Sequence, residues 1–179
     1  MAQEGDRSGN SRRRFLRRTL LGGALLTLGG IVGRHLSGYH LPPEIAARLR
    51  VLSPKEYVIL AAACRRLLAP DEAGAPDIEA IEVVNLIDDY LARVDPAICD
   101  DVKALLHVLE HGTALATLSR FTHLDAADQD AVLDAWQTSR IDLRRRGFAA
   151  LKSLAMLGYY DDPRTFAILG YGGPLVGKT

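Results

Sequence analysis

His107 and His111 stand one helical turn apart in the stretch His107-Val108-Leu109-Glu110-His111. Residues i and i+4 share a helical face, so the two imidazoles could hold zinc while the glutamate activates a bound water. Two features of the sequence weigh against that chemistry. Ile98, Val102, Leu105 and Leu109 recur at 4-3-4 spacing and define a core face, which sets both histidines roughly opposite, toward solvent or a partner. Zinc hydrolysis of this type also wants a carboxylate ligand further on, and no glutamate follows Glu110. Solvated surface histidines are the preferred reading. An independent metal-binding protein or metalloenzyme using His107, Glu110 and His111 is the alternative.

Other chemistry finds no residues to carry it. A di-iron bundle needs Glu-x-x-His pairs, and His107, His111 and His123 each lack a glutamate three residues before them. No strand-like alternation precedes a glycine-rich phosphate loop, and no serine sits in a nucleophile elbow. Catalytic, cofactor-binding and metal residues are therefore expected to be none in this chain. Cys64 and Cys99 lie on or beside apolar helix faces. There they act as small hydrophobes or, in an exported protein, form a disulfide; geometry decides.

The elements around these residues read as helices separated by turns. Ser53-Pro54-Lys55-Glu56 is a capping box with proline in the first turn. Tyr57, Leu60, Ala61, Cys64, Leu67 and Leu68 follow at helical spacing until Pro70. A second helix is expected from Asp77 to Val94. Asp95-Pro96 opens a third, which ends near Gly112, and Thr113 to Thr122 is ambiguous. Asp125 to Asp128 caps a helix holding Val132, Leu133 and Trp136. A long helix over Arg140 to Leu157 should turn Leu143, Phe148, Leu151 and Leu154 inward. Asp162-Pro163 starts a last turn closed by Gly170. The expectation is an all-α fold, a single bundle of five to six helices over residues 41–179.

The first 40 residues differ in kind. The chain of 179 residues has a formal net charge of zero. Residues 1–40 hold seven arginines against Glu4 and Asp6, 7 − 2 = +5, which leaves −5 on the rest. An acidic body offers no clustered basic face for nucleic acid. Arg144, Arg145 and Arg146 form its one basic run, read as a solvated helix face. Leu20 to Val32 is an apolar run with glycines, of the length of a secretory signal and too short to span a bilayer comfortably. Before it, Ser11, Arg12, Arg13, Phe15 and Leu16 resemble the twin-arginine translocation signal, with Arg17 in place of its usual lysine. No Ala-x-Ala-like cleavage site follows, so residues 1–40 are read as a signal segment and linker, either cut atypically or kept as an uncleaved anchor. The expected location is the periplasm, in association with the membrane, with the twin-arginine translocase as a partner.

Leu157 to Gly177 holds three of the six tyrosines, with Phe166, two prolines and five glycines. Tyrosine joins an apolar ring to a polar tip, which suits an interface. The plain alternative is a tail folded back over the bundle. Together with "LSPKEYVILAAACRRLLAP" at Leu52–Pro70 and "FTHLDAADQDAVLDAW" at Phe121–Trp136, the motif "GYYDDP…LGYGGP" at Gly158–Pro174 resembles the gluconate 2-dehydrogenase subunit 3 family. The resemblance implies a small, cofactor-free subunit beside a flavin dehydrogenase of the glucose–methanol–choline type. FAD would sit in that larger partner, and haem c in a third, cytochrome c subunit. It brings no catalytic residues to this chain. The expected partner interface is Tyr159, Tyr160, Asp162, Pro163, Phe166, Tyr171, Gly173 and Pro174.

Overall fold

Side-chain placement follows from a computed structural model, which describes residues 38–68, 75–114 and 118–172. The chain divides into two units, the second being residues 39–179. The targeting residues Ser11, Arg12, Arg13, Phe15 and Leu16 lie outside the described residues. Among those described, the second unit is helical and without strands. It comprises α1 (Pro43–Ala46), α2 (Pro54–Leu67), α3 (Ile78–Ile81), α4 (Val83–Leu91), α5 (Pro96–Gly112), α6 (Ala126–Gln137) and α7 (Asp142–Tyr160). Two 3-10 turns, Phe121–His123 and Pro163–Thr165, complete it. The all-α expectation is met.

The capping box that opens α2 is complete. The Ser53 amide donates to Glu56 Oε2 at 2.7 Å, and the Glu56 amide donates to Ser53 Oγ at 3.3 Å. Reciprocal satisfaction of orphan donors fixes where the helix starts. Ile59, Leu60, Ala63 and Cys64 are wholly buried, and α2 touches α4, α5, α6 and α7. A helix apolar around so much of its surface belongs in the middle of a bundle.

The expected helix over Asp77 to Val94 is broken. Glu82 takes a left-handed conformation, φ 54°, between α3 and α4. Such a backbone is unfavourable by about 1 kcal/mol or more for a non-glycine residue. Glu82 accepts hydrogen bonds there from Arg48 at 2.8 Å and Asn85 at 3.0 Å. The hydrogen bond from Arg48, foremost, lowers the carboxyl pKa. Periodicity saw one apolar face and could not see the kink.

Asp95 caps α5 through the Ala97 amide at 2.8 Å. Its buried face is Cys99, Val102, Leu106, Leu109 and Glu110. The expected core residue Ile98 is 51% exposed, and Leu105 is only half-buried. The true face is turned toward the histidine side, because a glutamate occupies part of it.

α7 packs against α4, α6 and α2. Its buried stripe Gly147, Leu151, Ala155, Gly158 and Tyr159 is rich in small residues. A Cβ on Gly158 would lie 2.7 Å from Ile87 Cγ1 and 3.0 Å from the Val83 carbonyl oxygen. One on Gly147 would meet Leu105 and Trp136 at 2.8 and 3.0 Å. Leu143, expected inside, is 74% exposed, and Phe148 and Leu154 flank the core half-buried. Large residues at helical spacing mark a face, but here the small residues form its contact line.

Candidate functional site

Glu110 is fully buried and points away from the metal site that the sequence permitted. Its Oε1 accepts from the Tyr39 hydroxyl at 2.7 Å and the Thr122 hydroxyl at 2.6 Å, and its Oε2 from the Thr122 amide at 3.0 Å. Arg120 Nε lies 3.6 Å from Oε1, with the arginine 1% exposed in its side chain. The Arg120 guanidinium stands 4.5 Å from the Tyr39 ring centroid and also bonds His123. A buried charge demands this density of partners. Burial first, and then the bond to Glu110, push the Tyr39 phenol well above its ordinary range.

His107 and His111 share a face, with parallel rings 6.4 Å apart, but Glu110 is not with them. His107 Nε2 lies 3.3 Å from Glu56 Oε1, and His111 Nε2 lies 2.9 Å from Lys55 Nζ. Both are partly exposed against the start of α2, His107 with 41% of its side chain at the surface, so they are surface histidines that also have protein partners. The His107–Glu110–His111 set is therefore split by the fold. Among the described residues, no three His, Cys, Asp or Glu side chains gather in a way that could hold a metal ion.

Cys64 and Cys99 are free thiols, so the disulfide expected as one option is not formed. Each is packed into the core as a small hydrophobe, and burial pushes the Cys64 thiol up to about 12.

The C-terminal segment divides between core and surface. Tyr159 is buried, and its hydroxyl donates to the Pro76 carbonyl at 2.9 Å. Tyr159, expected at the interface, is instead core, because it follows Ala155 by four residues on the buried stripe. Tyr160, set edge-on to Tyr159 with centroids 5.1 Å apart, reaches the surface. Asp162 accepts from the Arg164 amide at 2.8 Å and holds the Arg164 guanidinium with both oxygens. Those bonds, led by the one from the side chain, lower its pKa. Buried Thr165 donates to the Asp162 carbonyl at 2.7 Å, which locks the turn around exposed Pro163. Gly170, at φ +62°, turns the chain so that the Tyr171 amide reaches the Phe166 carbonyl at 2.9 Å. The rings of half-buried Phe166 and exposed Tyr171 meet edge-to-face at 5.1 Å. Gly173 and Pro174 lie outside the described residues.

Met156, Leu157, Tyr160, Leu169 and Tyr171 are all large and exposed on the end of α7 and the segment after it. Met156 and Leu157 lie four and three residues before Tyr160, so the three share one side of the helix. The arrangement can bind an apolar surface, with tyrosine hydroxyls at its edge.

Sequence reasoning missed Asp88. It is buried and accepts from the amides of Arg50, Val51 and Leu52 at 2.6, 3.1 and 2.8 Å. The available signal was an aspartate beside Ile87 and Leu91 on an apolar face. Arg120 was hidden in the ambiguous stretch, and Tyr39 in the linker.

No curated protein and no solved structure matches the chain. The family model for gluconate 2-dehydrogenase subunit 3 matches residues 54–172, from the first turn of α2 past Tyr171. With well over half of its length covered, the chain belongs to the gluconate 2-dehydrogenase subunit 3 family.

Proposed function

We propose that this chain is a non-catalytic small subunit that binds and stabilises a flavin-dependent alcohol or sugar dehydrogenase and escorts it through twin-arginine export. The observation that carries the reading is the set of exposed apolar residues on the end of α7 and the segment after it, Tyr160 and Tyr171 among them, inside the region that matches the family. The FAD belongs to the larger partner, and a cytochrome c subunit supplies haem c where there is one. The complex works in the periplasm at the membrane. Residues Ser11 to Leu16 give the reading its second support, since a translocase for folded cargo suits an enzyme that loads its cofactor before export.

Fractionation of cells carrying Arg12→Lys with Arg13→Lys tests the escort. The change keeps charge but removes the planar guanidinium fork. Dehydrogenase activity should move from periplasm to cytoplasm while the flavoprotein remains folded and active. If the partner still reaches the periplasm while this chain is held back, the escort role is wrong.

A further inference from the structure

The turn from α6 into α7 presents seven consecutive exposed residues, Arg140 to Arg146. Ile141 is 53% exposed and Leu143 is 74% exposed. Leu143 lies four residues before Gly147, so it extends the buried Gly147–Leu151–Ala155 stripe by one step past the end of the bundle's cover. Four arginines face one acid here, 4 − 1 = +3, in a body that is otherwise acidic. Asp142 is taken up by Arg145 at 2.8 Å and Arg146 at 2.6 Å. Arg145 also donates to the Ser139 carbonyl at 2.7 Å. Arg140 and Arg144 have no ion-pair partner among the described residues.

We propose that this turn is a contact site for an anionic membrane surface, with Ile141 and Leu143 entering the interfacial layer and Arg140 and Arg144 meeting lipid phosphates. Apolar side chains flanked by arginines match the two chemistries that a bilayer interface offers side by side. An acidic protein surface would satisfy the arginines but leave Ile141 and Leu143 without cover unless it also held a fitted pocket. A lipid surface needs no such shape. The site is independent of the docking group at Tyr160, which lies at the other end of α7, roughly 27 Å away at 1.5 Å per residue.

The test places a reporter at the tip of the full-length chain. Leu143→Trp is mixed with phosphatidylcholine–phosphatidylglycerol vesicles that carry brominated acyl chains, and the emission of the parent chain with its buried Trp136 is subtracted. Val108→Trp reports from an exposed position on α5. The expected result is a blue shift and quenching at position 143 with anionic vesicles, little with pure phosphatidylcholine, and none at position 108. Adding Arg140→Gln and Arg144→Gln should weaken vesicle binding about thirtyfold. Equal quenching at both positions would mean attachment through another part of the chain and overturns the proposal. No quenching by lipid, with a blue shift only in the co-purified dehydrogenase complex, assigns the turn to a protein partner and also overturns it.

Discussion

Glu110 belongs to a buried ion pair, and that role is visible only once Tyr39, Arg120 and Thr122 are placed around it. Glu110→Leu strips Arg120 of its counter-charge and should destabilise the body by about 3–5 kcal/mol in urea unfolding. Adding Arg120→Met should recover part of that loss, since a buried pair replaced by apolar groups is often tolerated. An unchanged urea midpoint for Glu110→Leu would show the pair to be dispensable. Tyr39→Phe removes one hydrogen bond to a charged acceptor, worth about 1.5–3 kcal/mol. The fold raises the Tyr39 pKa above its ordinary 10.0. Its contribution is therefore complete below that pH and is lost as pH rises through the folded value. Thermal melts across the alkaline range should fall less steeply for Tyr39→Phe than for the parent. The sequence named Glu110 only in the metal-binding alternative, beside His107 and His111. Spacing along one helix cannot show a contact made 71 residues away in the linker.

At the scale of elements, sequence showed the helices that begin with a cap and hid whatever happens inside them. Ser53, Asp95 and Asp125 each cap as expected, because the signal is local: a side-chain oxygen and an amide two or three residues on. The kink at Glu82 is bonded to Arg48, 34 residues away, which no local pattern contains. The same limit applied to α7, where Leu143 looked like core and Gly147 and Gly158 did the packing. Gly158→Ala should destabilise by about 1–3 kcal/mol, because the Val83 carbonyl is backbone and cannot move aside cheaply. Gly112→Ala, with nothing within 4 Å, should instead stabilise by up to about 1 kcal/mol. Paired denaturation curves check the opposite signs. A destabilised Gly112→Ala would show that openness at a helix end is a poor guide.

Over the whole molecule, the proposed function rests on the charge asymmetry of the sequence and on the C-terminal motif. The C-terminal segment from Leu157 on was legible as unusual but not as divided. Two adjacent tyrosines look alike in sequence, yet Tyr159 is bonded into the core and Tyr160 faces out. That division supplies the most direct test of docking. The full-length chain is tagged and recovered from membranes, and the flavin absorbance and peptide masses of what comes with it are measured for the parent and for Tyr160→Ala with Tyr171→Ala. The expected result is a flavoprotein dehydrogenase with the parent and a marked loss with the double variant. Each truncated interface aromatic should contribute about 2 kcal/mol or more, and helix content by circular dichroism should stay the same. A variant that keeps its fold and still brings down the same amount of flavoprotein, or a parent that brings down none, would contradict the account.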